Sequence, residues 1–265
     1  MQIVFALVAL VVGFVLLVKG ADWFVEGSAG IANKFGIPQI VIGLTIVAMG
    51  TSMPEAAVSI SAALRGSAEI TIGNVVGSNI MNILVILGLT AVVCQIAGQK
   101  TTIHYEIPMV IGVTILLAVM GLQNNIISRA EGVILLACMV VYMLYLLRLA
   151  KRGVVENEEM DAYAKQVSFG RLILLVVVGV AAIIFGSHVA VEAASAIARI
   201  FGISERFIGL TIVAFGTSLP ELVTSVAAAR RGNSDIAVGN IVGSNLFNIM
   251  FVVGITAVIV PVVYQ

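Results

Sequence analysis

The sequence predicts an all-α polytopic membrane protein with an inverted-topology repeat and about eight transmembrane helices. Composition is the first reason: 60% of the 265 residues are hydrophobic, 11% are charged, and mean hydropathy is +1.15, far outside the range of a soluble globular domain. Apolar runs are the second. They fall at about 3–18, 38–64, 70–93, 107–122, 130–147, 172–188, 207–229 and 236–263, and a bilayer core about 30 Å thick takes roughly 20 helical residues. The third is an internal repeat: residues 36–82 and 202–248 align at a constant offset of 166 without a gap, with 27 of 47 positions identical.

Taken in order, the first run lacks a basic n-region, so it reads as a retained span rather than a signal peptide. Lys19 to Trp23 mark its end, with Trp23 near the interface. The second and seventh runs carry Gly-Thr-Ser-x-Pro-Glu at 50–55 and 216–221. The third and eighth carry Gly-Asn-x-Val-Gly-Ser-Asn-x-x-Asn at 73–82 and 239–248. Matching the fourth and fifth runs at the same offset requires residues beyond 272, and the chain stops at Gln265. The expected organisation is a first five-helix repeat over 1–149, a polar linker over 150–168 containing Glu156, Glu158, Glu159 and Asp161, and an incomplete three-helix second repeat over 169–265. An odd number of spans in the first unit inverts the second, placing a pseudo-two-fold axis in the membrane plane.

Charge sets the expected orientation. Assigned to alternate faces, ten basic residues (Lys19, Lys34, Lys100, Arg148, Lys151, Arg152, Lys165, Arg171, Arg230, Arg231) fall on one side and four (Arg65, Arg129, Arg199, Arg206) on the other. A multi-pass protein of the cell inner (plasma) membrane is expected, with its N-terminus outside and loop 150–168 cytoplasmic.

The acidic motifs carry the chemistry. Proline in mid-helix removes a donor and clashes one turn back, so carbonyls around Gly50, Thr51, Gly216 and Thr217 should be freed, and a cation would satisfy them. A charge at the bilayer centre costs roughly 2.5 to 3.5 kcal/mol on insertion scales, yet Glu55 and Glu221 sit in apolar cores that hold no Lys or Arg. Two such carboxylates repel unless a cation lies between them. Hydroxyls of Thr51, Ser52, Thr217 and Ser218 lie within one turn of them. Asn82 and Asn248 add amide oxygens, with Ser78 and Ser244 one turn earlier on the same face. A protonated helix–helix hydrogen bond is the competing role for the Glu pair. Asn74, Asn79, Asn240 and Asn245 have no clear role beyond cross-helix bonding. Gly43, Gly77, Gly209 and Gly243 fit close packing or ligand contact equally, and Glu26 and Glu192, matched by the repeat, fit a surface or a gate. His188 matches Asp22 and reads as interfacial.

The inventory also excludes functions. His104, expected in a loop, and His188, expected at the end of the sixth run, offer no soft ligand set, and Cys94 and Cys138 form neither a zinc pattern nor a disulfide framework. Oxygen ligands alone favour Na⁺, Ca²⁺ or Mg²⁺, and a Ca²⁺ site takes roughly six to eight of them. No phosphate-binding Gly-x-x-x-x-Gly-Lys-Ser/Thr and no hydrolytic or redox machinery is visible, so the protein is expected not to be an enzyme, to need no cofactor, and to drive transport by ion gradients. Zero net charge implies no nucleic-acid partner, and the expected partners are the bilayer and the ions themselves.

With these motifs in hand, the chain resembles the cation/calcium exchanger superfamily, in its prokaryotic sodium/calcium exchanger branch. Gly-Thr-Ser-Met-Pro-Glu at 50–55 with the motif at 73–82, and Gly-Thr-Ser-Leu-Pro-Glu at 216–221 with the motif at 239–248, match its two alpha repeats. The resemblance implies a sodium/calcium exchanger-like fold of ten helices, two of them absent here at the C-terminal end. It implies Glu55 and Glu221 as paired calcium ligands. Thr51, Ser52, Thr217, Ser218, Ser78 and Ser244 become sodium-site participants, and Asn82 and Asn248 the central amides. Some relatives have aspartate at the position of Asn248, so this chain carries one central carboxylate fewer. The function implied is secondary antiport of Na⁺ for Ca²⁺ by alternating access, with the first and sixth helices sliding on the core. Ca²⁺/H⁺ exchange, K⁺-dependent exchange and a cation channel are the alternatives, and the channel is disfavoured because no repeated carbonyl filter or charged ring is present.

Overall fold

The two longest helices, α1 (Gln2–Phe35) and α7 (Phe169–Ile200), each grow from one apolar run. The computed structural model describes residues 2–96, 99–151 and 167–264, the side chains of Gln2, Glu205, Arg206, Gly209 and Leu210 excepted. Arg152, Glu156, Glu158, Glu159, Asp161 and Lys165 of the expected linker lie outside the described residues. Both long helices run well past the apolar runs that predicted them. Lys19, Asp22 and Trp23 are therefore inside α1 rather than at its end, and His188 lies inside α7. Hydropathy marks where a helix meets lipid, whereas the helix ends only where the backbone must turn: at Gly36 (φ +60°) and its repeat mate Gly202 (φ +76°).

α1 and α7 run antiparallel on a seam of glycines spaced by seven residues. A Cβ at Gly13 would lie 2.7 Å from Ala190 N, one at Gly20 2.9 Å from Gly179 O, and one at Gly27 2.8 Å from Leu172 O. Close backbone approach of this kind is what joins helices in lipid, where apolar burial no longer drives association.

The remaining elements are α2 (Gln39–Thr51), α3 (Met53–Leu64), α4 (Ile70–Val93), α5 (Thr102–Asn124), α6 (Arg129–Lys151), α8 (Thr211–Thr217), α9 (Leu219–Arg230) and α10 (Ser234–Ile259). Among the described residues six helices are each long and apolar enough to span a membrane, and counting each of the bent pairs α2–α3 (43°) and α8–α9 (50°) as one span brings the total to eight. Each bend falls at a serine, Ser52 or Ser218, two residues before a proline that occupies the first turn of the next segment. π-helical turns at Gly43–Val47, Asn82–Ile86, Thr102–Glu106, Gly209–Val213 and Asn248–Val253 are a feature the sequence did not disclose. His104, expected in a loop, lies in one of them. Strands β1 (Ile126–Ile127) and β2 (Val262–Val263) pair antiparallel and tie the α5–α6 connection to the chain after α10.

α10 is the centre of the molecule: its most apolar window is 78% buried, against 22–28% for the other unbroken spans. Its burial comes partly from a seam with α2. A Cβ at Gly239 would stand 2.9 Å from Gly43 Cα, and one at Gly243 would stand 2.7 Å from Ala48 Cβ. The repeat mate of this seam, α4 against α8, is not closed. Gly73 and Gly77, the mates of Gly239 and Gly243, have nothing within 4 Å, and a cavity of about 680 Å³ lies between Gly73, Gly77, Ser78 and Met81 of α4 and Thr211 and Phe215 of α8. Likewise α1 packs along α9, whereas their mates α7 and α3 scarcely meet. The closed seam is on the linker side, the end where α1 finishes and α7 begins and where Lys34 Nζ donates to Val167 O at 2.9 Å.

Candidate functional site

The two helix breaks bring the acidic motifs together. Glu55 and Glu221 occupy the first turns of α3 and α9, where unpaired N–H groups and the helix dipole favour negative charge. Both side chains are buried, 0% and 1% exposed, and near enough to interact electrostatically. Glu221 Oε1 accepts from Ser52 Oγ of the other repeat at 2.8 Å and from Ser244 Oγ at 3.5 Å. Glu55 Oε1 accepts from Ser78 Oγ at 3.3 Å. The second oxygen of each carboxylate has no protein partner.

Three more buried oxygens at this depth are in the same condition: Asn82 Oδ1, Asn248 Oδ1 and Ser218 Oγ. Burying a polar atom without a partner costs roughly 1 to 3 kcal/mol, so five unmet oxygens, one on each carboxylate and three on Asn82, Asn248 and Ser218, suit something positive. The residues fit a hard cation: every donor is oxygen, and two carboxylates balance one divalent charge. Among the described residues no group of three or more His, Cys, Asp or Glu side chains is placed to hold a metal ion, and the oxygens beside this carboxylate pair belong to hydroxyls and amides.

Asn79 and Asn245, read from the sequence only as cross-helix bonding groups, bond across the helices and orient the central amides. Asn82 Nδ2 donates to Asn245 Oδ1 at 2.9 Å, and Asn248 Nδ2 donates to Asn79 Oδ1 at 3.1 Å. Each bond crosses from one repeat to the other and takes up the amide nitrogen, so the oxygen is the atom left over. Asn74 and Asn240 staple the helices carrying the carboxylates. Asn74 Nδ2 donates to Glu55 O (3.1 Å) and Ser59 Oγ (2.9 Å), and Asn240 Nδ2 to Glu221 O (3.3 Å) and Ser225 Oγ (2.9 Å). The signal was present in the sequence, since Ser59 and Ser225 are also identical at the offset of 166.

The hydroxyl set departs from two-fold symmetry. Thr51 Oγ1 donates to Asn240 Oδ1 at 3.0 Å and reaches Ala48 O at 3.3 Å, whereas its mate Thr217 makes only the second kind of bond, to Ala214 O at 3.1 Å. Thr51 nonetheless lies near Glu221, and Thr217 near Glu55. The freed carbonyls were expected to seek a cation, but that of Gly216 accepts from Ser187 Oγ at 2.8 Å, so a side chain on α7 serves it. Gly43 and Gly243 are packing residues, and Gly77 lines the cavity that reaches Ser78.

Comparison with known proteins places this arrangement. The family profile described as sodium/calcium exchanger protein matches residues 5–148 and 171–265. The chain is 38% identical over 260 residues to the inner membrane protein YrbG of Escherichia coli, covering 95% of this chain and 79% of that one. It is 33% identical over 293 residues to the sodium/calcium exchanger MaX1 of Methanosarcina acetivorans, covering 95% and 82%. A solved structure of the sodium-calcium exchanger NCX_Mj superposes with a TM-score of 0.86 at 33% identity, over 99% of this chain and 85% of that one.

Proposed function

Because the chain belongs to the sodium/calcium exchanger family, we propose that the site between its repeats is where Na⁺ and Ca²⁺ are exchanged, each ion as cargo. The protein is a multi-pass secondary antiporter that works by alternating access, and it is not an enzyme. The observation that carries the site assignment is the set of five unmet buried oxygens on Glu55, Glu221, Asn82, Asn248 and Ser218. In this reading Glu55 and Glu221 hold Ca²⁺. Thr51, Ser52, Ser78, Thr217, Ser218 and Ser244 serve Na⁺, Asn82 and Asn248 face both ions, and Asn79 and Asn245 hold those amides in place.

Exchange follows from electrostatics. A bare pair of buried carboxylates is too costly to occlude, so the protein changes face readily only when cations neutralise it. Ions of one kind must then leave before the other kind can be carried back. The repeats are assigned to 1–149 and 169–265, joined by linker 150–168. With the N-terminus outside and the linker cytoplasmic, the cavity between α4 and α8 opens to the exterior and the glycine seam between α2 and α10 closes the cytoplasmic route.

The test is ⁴⁵Ca²⁺ uptake into proteoliposomes loaded with Na⁺, K⁺ or a proton gradient. Uptake driven by outward Na⁺ and abolished by Glu55→Gln and by Glu221→Gln is expected. Uptake driven by protons without Na⁺, or uptake that persists in both variants, would overturn the assignment.

A further inference from the structure

An arginine and a glutamate recur in this chain at the repeat offset, and among the described residues only one copy of the pair is joined. Arg231, just past the end of α9, reaches α1: its Nη1 lies 3.4 Å from Glu26 Oε2 and its Nε 3.5 Å from Asp22 Oδ1. Shifting each residue by the repeat offset of 166 gives Arg65, Glu192 and His188. Arg65 follows α3 and Glu192 and His188 lie on α7, the very helices that scarcely meet. Among the described residues Arg65 forms no ion pair, and Glu192 and His188 line a separate cavity of about 920 Å³. The assembled trio is on the linker side, where the seam between α2 and α10 is closed. Its unassembled mate is on the side where α4 and α8 stand apart.

We propose that Arg231 with Glu26 and Asp22, and Arg65 with Glu192, are alternating ionic latches, each formed only while its own face of the transporter is closed. The latches exclude each other because α1 and α7 are joined. The backbone contacts at Gly13, Gly20, Gly27, Gly179 and Gly186 leave no room for the two helices to separate, so they shift as one body. A shift that brings α7 onto α3 withdraws α1 from α9. Each latch is solvent-exposed, with side chains 28–36% accessible in the formed one, and exposed pairs contribute little individually. They bias the equilibrium between faces without locking it, as a protein that must alternate requires. The latches are also unequal. The first arginine meets two carboxylates, whereas the mate of Asp22 is His188, which favours closure on the linker side.

The proposal concerns how the site is gated and rests on the transport reading only for what passes the gate, so its test reads conformation and transport separately. Full-length protein carrying Cys94→Ser and Cys138→Ser receives Gly77→Cys, a reporter in the cavity between α4 and α8, and is reconstituted in liposomes. Arg231→Ala is expected to slow maleimide labelling at position 77 and Arg65→Ala to speed it, each by roughly twofold to fivefold, the range set by an exposed pair. Exchanging charges in the Arg65→Glu, Glu192→Arg double variant restores the parental rate. In a second background without Gly77→Cys, the pair Arg65→Cys, Glu192→Cys is expected to join through a short thiol cross-linker and to stop ⁴⁵Ca²⁺ uptake. Labelling that moves in one direction for both arginine variants, or a 65–192 pair that never cross-links under any ion condition, overturns the latches. Opposite shifts in labelling without Na⁺-driven uptake in the parent would retain the latches and overturn the exchange reading.

Discussion

The α2–α10 seam and the α4–α8 gap are built from nearly the same residues and yet are in opposite states. Gly239 and Gly243 touch backbone across the first, while Gly73 and Gly77 face open space in the second. The residues that the two copies share therefore do not determine which side closes. Two packings of one sequence compete, and a bistable interface of this kind is what alternating access requires. The difference locates the moving parts: Thr51 bonds to Asn240 as well as to its own backbone at Ala48 O where the repeats are closed, whereas Thr217 keeps only the backbone bond, to Ala214 O, where they are open.

Glycine mates give the largest expected contrast. A valine at Gly239 would push Ile40 O and Gly43 Cα, both backbone atoms within 3 Å of the new Cβ. Overpacking of this type costs about 1 to 3 kcal/mol. Gly239→Val should accordingly lower the melting temperature in detergent, while Gly73→Val should melt like the parent. Both should lose ⁴⁵Ca²⁺ exchange, because each side must close once per cycle. Equal melting losses for the two would erase the comparison.

The central asparagines come next. Asn245→Ala leaves the Asn82 amide without its acceptor, and Asn79→Ala does the same to Asn248. Loss of a group that orients a metal ligand typically weakens binding by roughly tenfold to a hundredfold. Both variants should raise the half-saturating Ca²⁺ concentration on that scale. The Asn79 change should add a stability loss, because Asn79 Nδ2 also donates to Asn245 O at 3.2 Å and so joins α4 to α10. An unchanged Ca²⁺ dependence in both would mean that the amides are fixed by other contacts.

Much of this was legible beforehand because polar residues in an apolar run have few reasons to exist. Glu55, Glu221 and their hydroxyl and amide neighbours announced themselves by recurring at one offset, and the bends at Ser52 and Ser218 followed from Pro54 and Pro220. The length of α1 was not legible, since Lys19 to Trp23 read as a boundary but lie inside a continuous helix that packs along α7 and α9. Nor were the π turns at Gly43–Val47 and Asn82–Ile86, which leave no compositional mark. The pairing of Asn79 with Asn248 and of Asn82 with Asn245 depends on the repeats meeting, and inspection of one motif cannot supply it. Asymmetry was the least accessible property, because an alignment of the repeats with each other shows only what they share.

The threonine mates give the smallest expected difference. Thr51 Oγ1 donates to Asn240 Oδ1 at 3.0 Å across the closed side and is fully buried, while Thr217 Oγ1 satisfies the carbonyl three residues back at 3.1 Å. Removing a buried cross-repeat hydrogen bond costs about 1 kcal/mol. Removing a hydroxyl that only doubles a helical carbonyl's bonding costs less. Thr51→Ala should lower the melting temperature by a few degrees in Na⁺-free detergent, and Thr217→Ala should leave it nearly unchanged. Both should weaken Na⁺ dependence of ⁴⁵Ca²⁺ uptake, because each hydroxyl lies near the opposite carboxylate. If conditions that close the α4–α8 side were found, the melting order of the two variants should reverse, with Thr217 then reaching Asn74 as Thr51 now reaches Asn240.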